Sequence, residues 1–359
     1  MGNVSDYIRL INQLLKPPSE RNGFKVLDLF AGCGGLSLGF EAAGFATVGY
    51  EKNTSAASTY RQNLQGDCHC TTLSQGQNYP QADVLIGGPP CQPFSVRGRQ
   101  HGINDARDGF PIFIDAVRRV EPRIFLFENV SNLFKRHREY LDLILTELSN
   151  LGYYVRCECL NAVHYGVPQR RERLIAVGYR GFFAYPQPTQ RSTTVGDAIG
   201  DTMHGEVAGG HILTPAQDAY IARYEKASAC INPRDLYPNR PARTLTCRNL
   251  AGATSDMQRV RMADGRRRRI VVREAARLQS FPDWFTFQGS ETEQFTQIGN
   301  AVPPLLAYHL AQSALQALRK TDHAPAQIEA QNSNIGNTLG LLRFAKSNLK
   351  EISENRQNA

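Results

Sequence analysis

The first half of the chain alternates short apolar runs with amphipathic stretches. FKVLDLF (24–30) has the pattern of a buried strand. A turn carrying Gly32, Gly34 and Gly35 follows, and LSLGFEAAGF then reads as a helix. Further strands are predicted at ATVGYE (46–51), QADVLIGG (81–88), PRIFLFENV (122–130), YVRCECLNA (154–162) and RLIAVGY (173–179). Helices are predicted at 5–15, which Pro17 and Pro18 stop, near 109–120, and at 140–153, where Leu141, Ile144, Leu145 and Leu148 share a face. Strands alternating with helices predict a doubly wound α/β sheet.

Past about residue 180 the periodicity fades. FFAYPQPTQ opens a loop-rich stretch. MQRVRMADGRRRRIVV (257–272) predicts a hairpin on a two-residue Asp264-Gly265 turn. REAARLQ (273–279) predicts a short helix, and VPPLLAYHLAQSALQALRK (302–320) a longer one led in by prolines. Residues 321–359 are polar apart from 339–344 and read as a tail. No internal repeat is visible, and no apolar run reaches the ~20 residues of a membrane span.

The chain's 359 residues exceed what one core usually serves, since single cores stop growing at roughly 250–300 residues. Two units are therefore expected. Hydrophobic residues make up 41% and charged residues 21%, which excludes a disordered chain. The net charge of +8 is unevenly placed: residues 240–279 hold eleven arginines against three acids, the whole excess. That concentration points to a polyanion partner, with a solvated arginine-rich hairpin as the other reading. Eight cysteines include two Cys-x-Cys pairs but no C-x-x-C and no Cys/His ladder, so no metal site is expected. The amphipathic N-terminus carries an acid and does not read as a signal peptide, so free thiols in a cytoplasm are expected.

Four strings carry chemistry. In Gly32-Cys33-Gly34-Gly35-Leu36-Ser37, Ser37 replaces the third glycine of a dinucleotide loop. Glu51 ends the second strand, where a carboxylate can accept both hydroxyls of a ribose, so a ribose-bearing cofactor without an implied pyrophosphate is expected. GGPPCQPFS (87–95) follows a strand, and its two prolines would hold Cys91 rigidly at the strand end as a nucleophile. ENV ends the next strand and sets Glu128 at the same sheet edge, where a carboxyl can protonate a heteroaromatic ring. In QRRER (169–173), Arg171 and Arg173 alternate onto one side of an extended segment, where two guanidiniums could bind a carbonyl, a carboxylate or a phosphate.

Taken together, DLFAGCGGLSLGF (28–40), GGPPCQPFS, ENV, QRRER, RPARTLT (240–246), REAARLQSFPDWF (273–285) and QIGNAVPP (297–304) resemble the DNA (cytosine-5) methyltransferases, in that family's order, over about residues 24–318. The proline–cysteine motif separates them from amino-methyltransferases, which lack a nucleophilic Cys. The resemblance implies an S-adenosylmethionine-dependent methyltransferase sheet with a second, smaller target-recognition domain. It implies a catalytic unit of 1–178 plus 295–320 and a recognition unit of 179–294, variable over about 181–239. S-adenosylmethionine would meet Phe30 at its adenine, Gly32, Gly34, Gly35 and Leu36 along its methionine, Glu51 at its ribose and Asp67 at its adenine, with Asn300 and Val302 closing the site. Cys91 would add to C6 of a flipped-out cytosine, Glu128 would stabilise its N3-protonated ring, Arg171 would bind O2 and Arg173 would position Glu128. The stretch 95–109 resembles the family's loop that closes over DNA. The expected partner is double-stranded DNA, with a cognate restriction endonuclease as a genetic partner. The chain is expected to be a monomer without a membrane, in a bacterial cytoplasm at the nucleoid. A tRNA-methylating branch shares these motifs, and a non-catalytic DNA-binding regulator on this fold is the alternative from another class.

Overall fold

The computed structural model describes residues 5–91, 108–190, 192–227, 234–251 and 256–322. The expected closing loop lies outside them except for Asp108 and Gly109, and so does the tail beyond 322. The fold is built on a seven-stranded sheet of β1 (Lys25–Leu29), β2 (Ala46–Glu51), β3 (Asp67–Cys70), β4 (Val84–Gly87), β5 (Ile124–Val130), β6 (Tyr154–Asn161) and β7 (Glu172–Tyr179), in the order β3-β2-β1-β4-β5-β7-β6. The first five strands pair in parallel, and β7 runs antiparallel to both of its neighbours. The central strands are mostly apolar and buried because helices cover both faces, with Asp28 in β1 and Glu128 and Asn129 in β5 among the polar exceptions. Val26, Leu126 and Val177 face one layer, with α1 (Asp6–Leu14), α2 (Gly35–Ala42), α3 (Thr54–Asn63) and α12 (Pro304–Asp322). Leu27, Phe125 and Leu174 face the other, with α4 (Phe110–Val120), α5 (Ser131–Arg136) and α6 (Arg138–Asn150).

The chain beyond β7 is more regular than its sequence pattern. It holds α7 (Val195–Met203), α8 (Pro215–Ala227), α9 (Cys247–Ala251), α10 (Val272–Leu278) and α11 (Glu291–Asn300). Thr194 and Asp197 form a capping box that starts α7, a signal readable in the sequence. A small sheet of β8 (Asp235–Leu236), β9 (Arg259–Arg261) and β10 (Arg267–Arg269) carries the predicted hairpin. Its turn has three residues rather than two: Met262 N donates to Arg266 O at 2.8 Å, Gly265 N donates to Met262 O at 3.0 Å, and Gly265 takes φ +87°. Phe183, Tyr185, Val195 and Met203 share one buried cluster with Tyr7, Phe40 and Leu310, so this region packs onto the sheet's helical layer.

Candidate active site

β1 and β4 are adjacent parallel strands whose following connections leave in opposite directions, to β2 on one side and β5 on the other. Their carboxyl ends therefore open the crevice where ligands bind in such sheets. Phe30 leaves β1 at φ 58°, a left-handed conformation that costs a non-glycine residue about 1–2 kcal/mol. Gly32 follows at φ +56°, and a Cβ placed on it would meet nothing within 4 Å. Glu51 stands beside this open face. Its Oε2 accepts Gly32 N at 2.9 Å and its Oε1 accepts Asn53 N at 2.7 Å. The first amides of α2, from Gly35 onward, have no acceptor within the helix and suit a carboxylate. An open cradle, a carboxylate and helix-end amides are a donor set that fits a ribose-bearing amino-acid cofactor.

Gly34 and Leu36 face inward instead. A Cβ on Gly34 would lie 2.8 Å from Tyr60, and Leu36 is buried in the core, so only their backbone can line a ligand. Gly35 is a point of close approach: its Cβ would sit 2.5 Å from Val302 O. QIGNAVPP thus returns against the glycine turn and brings Val302 to it, with exposed Asn300 two residues earlier. Behind the turn, Asp28 accepts a hydrogen bond from Ser37 Oγ at 2.7 Å. Burial, with Glu51 adding to it, pushes the Asp28 carboxyl up to about 7.

The structure places Asp67 apart from the other residues expected to hold the cofactor. Asp67 starts β3 and pairs with Val48, three rows below Glu51, toward the edge of the sheet away from the crevice. Cys70 is the residue that pairs with Glu51, and Thr71 N donates to Glu51 O at 3.0 Å. A four-residue strand, DCHC, carries no apolar pattern from which that register could be read.

The nucleophile turn is fixed from two sides. Asn129 Nδ2 donates to Pro89 O at 3.0 Å, and Gly109 N donates to Pro90 O at 3.0 Å. A Cβ on Gly109 would meet Phe30 Cζ at 3.0 Å, so the cofactor strand's last side chain abuts this turn. Cys91 is half-buried, and burial followed by the Asp108 carboxylate pushes its thiol up to about 12. Gly87 pairs with Phe127, which sets Glu128 beside Gly88. Arg173 Nε forms an ion pair with Glu128 Oε1 at 2.8 Å, and its Nη1 donates to Glu172 O at 2.8 Å. Neither the Asn129 brace nor the Asp108 carboxylate beside Cys91 is readable from the motif strings alone, although Asn129 belongs to ENV.

Arg171 is committed to the interior. It is 1% exposed, and its two Nη atoms donate to the carbonyls of Leu245 at 2.7 Å, Gly299 at 3.0 Å and Ala301 at 2.9 Å. Gln169 and Gln279, both fully buried, extend this hub: Gln169 Nε2 donates to Leu278 O and Gln279 Nε2 to Ala301 O. Its neighbour Arg173 instead reaches Glu128. Arg171 therefore fastens the Asn300–Val302 turn from behind and does not present its Nη donors to a base.

The arrangement joins a cysteine, a carboxylate–guanidinium pair and a ribose-type carboxylate at one sheet edge, and comparison with known proteins decides what it belongs to. The family profile of the C-5 cytosine-specific DNA methylases matches residues 24–316. This chain belongs to that family. The methylase is 54% identical over 331 residues to the Type II methyltransferase M.AplI of Arthrospira platensis, covering 90% of this chain and 95% of that one. It is 36% identical to the Type II methyltransferase M1.HphI of Haemophilus parahaemolyticus, over 81% and 86% of the two chains. Among solved structures, Spodoptera frugiperda DNMT2 superposes with a TM-score of 0.63 at 17% identity, over 82% of this chain and all of that one, a likeness of fold. A DNA modification methyltransferase encoded within an E. coli prophage gives a TM-score of 0.60 at 23% identity, over 83% of this chain and 100% of that one. Among the described residues no cluster of metal-binding side chains occurs, and no helix is long and apolar enough to cross a membrane.

Proposed function

We propose that this methylase transfers a methyl group from S-adenosylmethionine to C5 of a cytosine flipped out of double-stranded DNA, within a short specific site, through a covalent Cys91 adduct at C6. The observation that carries this reading is the Glu128–Arg173 pair beside the Gly88–Cys91 turn, at the crevice that also holds Glu51. Phe30, the open face of Gly32, Glu51 and the first amides of α2 would hold the cofactor, with Val302 behind Gly35 and Asn300 at the rim. When bound, it supplies an electrophilic methyl group on a sulfonium.

Cytosine C5 is a poor nucleophile. In the free enzyme burial keeps the Cys91 thiol protonated, so the thiolate forms as substrate engages. Its sulfur bonds to C6, and the C5–C6 π pair moves to C5 as the N3-protonated ring, stabilised by Glu128, becomes an enamine. C5 then takes the methyl group. A base removes the C5 proton, that bond pair restores the C5–C6 double bond, and the Cys91 thiolate leaves. With Arg171 committed to carbonyls, Arg173 is the guanidinium left to meet O2 while it positions Glu128. None of these atoms is reachable in a stacked duplex, and extruding the base costs a few kcal/mol.

We assign target reading to the region 179–294, variable over about 181–239, and propose a monomer that acts in a restriction–modification setting in the bacterial cytoplasm. Bisulfite sequencing of plasmid DNA from a host expressing the chain tests the function. Protected cytosines confined to one short sequence are expected. An unprotected plasmid in a host that makes the folded protein would contradict DNA C5 methylation.

A further inference from the structure

The arginine-rich stretch is not a uniform basic patch. Of the eleven arginines in 240–279, seven are held in ion pairs, many with acids outside the stretch. Fully buried Arg259 meets Asp235 and Glu225, Arg267 meets Asp218, fully buried Arg268 meets Glu274, and Arg277 meets Asp201 and Asp283. Arg269 and Arg273 donate to backbone carbonyls. Arg240 stacks on Tyr237. That leaves Arg243, exposed and without a charged partner among the described residues.

Arg243 has a neighbour of the same kind. Gln169 and Ala242 form a parallel bridge, with Ala242 N donating to Pro168 O and Arg170 N to Ala242 O, each at 2.9 Å. Gln169 and Ala242 are both buried, so the next residues along, Arg170 and Arg243, turn outward together. Adjacent strands lie about 4.8 Å apart, which sets these two exposed guanidiniums side by side. Thr244 Oγ1 donates to Arg170 O at 2.7 Å and holds the two segments in register. Arg170 is three residues before Arg173, a span of at most about 10 Å of extended chain. A paired, uncompensated cationic edge next to the catalytic pair suits a nucleic-acid backbone, where guanidiniums bind phosphate oxygens in a fork.

We propose that Arg170 and Arg243 together clamp the sugar–phosphate backbone of DNA beside the target base, and that the ion-paired arginines of 240–279 are structural. This inference rests on the function proposed above and names the contacts by which the same site holds its DNA. Each residue contributes counterion release and no base discrimination.

The test is the salt dependence of duplex binding by the full chain, with bisulfite-detected methylation measured on the same preparations. Each lost phosphate contact lowers the slope of log K against log salt by about 0.9. Between about 50 and 200 mM salt, the double variant Arg170→Ala/Arg243→Ala is therefore expected to lose roughly tenfold less affinity than wild type, for target and non-target duplexes alike. Arg170→Lys/Arg243→Lys keeps both charges and should restore the slope, which separates phosphate binding from a folding defect. Arg266→Ala is the control: Arg266 is half-exposed but held by Asp264 and Glu206, and its loss should leave the slope unchanged. A wild-type slope in the double alanine variant, or an equal drop in Arg266→Ala, would overturn the clamp. Wild-type protein that binds and methylates no DNA would instead reject the underlying function.

Discussion

Arg173 Nε lies 2.8 Å from Glu128 Oε1, with both side chains 12% exposed. The register of the strands produces this contact. Arg173 pairs with Val130 at the start of β7, so its side chain falls on the same face as Glu128, at the carboxyl end of β5. A guanidinium so placed, and held in turn by its Nη1 on Glu172 O, anchors the carboxylate at the sheet edge.

Arg173→Ala should therefore lower kcat by roughly 100-fold or more, the scale of a misplaced acid–base group. The Michaelis constant for S-adenosylmethionine should hardly change, because Glu51 and the glycine turn are untouched. Arg173→Lys keeps the charge without the planar guanidinium that bridges Glu128 and Glu172 O, and should recover only part of the rate. Steady-state kinetics on folded variants measures this, and near-wild-type turnover in Arg173→Ala would contradict the positioning role.

Glu51→Ala should weaken cofactor binding more than DNA binding. The loss removes the acceptor proposed for the ribose hydroxyls and frees Gly32 N and Asn53 N, and hydrogen bonds to charged groups contribute about 1.5–3 kcal/mol each. A fall in affinity of at least about tenfold is expected by calorimetry. Unchanged cofactor affinity in a folded Glu51→Ala protein would reject the assignment.

Much of this site is legible in the sequence because its residues end apolar strands. Cys91, Glu128 and Glu51 each follow a run of buried residues that fixes which sheet edge they occupy. The position of Asp67 is not legible in the sequence because β3 is short and polar, so its register exists only in the pairing with β2. Arg171 and Arg173 look equivalent by alternation. What separates them is a set of carbonyls at Leu245, Gly299 and Ala301, distant in sequence, that only the folded chain brings to Arg171. The charge of 240–279 misleads for the same reason, since its neutralising acids at 201, 218, 225 and 235 come from other segments.

The buried Asp28 predicts a pH dependence of stability. Its carboxyl is raised to about 7 in the folded protein, against about 4 in an unfolded chain. The folded state thus holds this proton more tightly. The stabilisation is full below about pH 4 and is lost as pH rises through about 7, amounting to at most about 4 kcal/mol. Asp28→Asn, which still offers an oxygen to Ser37, should show a flatter profile and gain on wild type between pH 5 and pH 8, as roughly followed by Tm in that window. A difference in Tm that stays constant with pH would contradict the raised carboxyl.

The covalent step is tested most directly by trapping. DNA carrying 5-fluorocytosine at the target should form a stable adduct with the wild-type protein, because fluorine at C5 cannot leave as a proton and the Cys91 bond to C6 cannot be released. Peptide mass mapping should place the adduct on Cys91, and Cys91→Ser should form none while still folding and binding cofactor, since an alcohol does not supply the anion a thiolate does. An adduct mapped to another cysteine, or methylation by Cys91→Ser at a rate near wild type, would contradict the account.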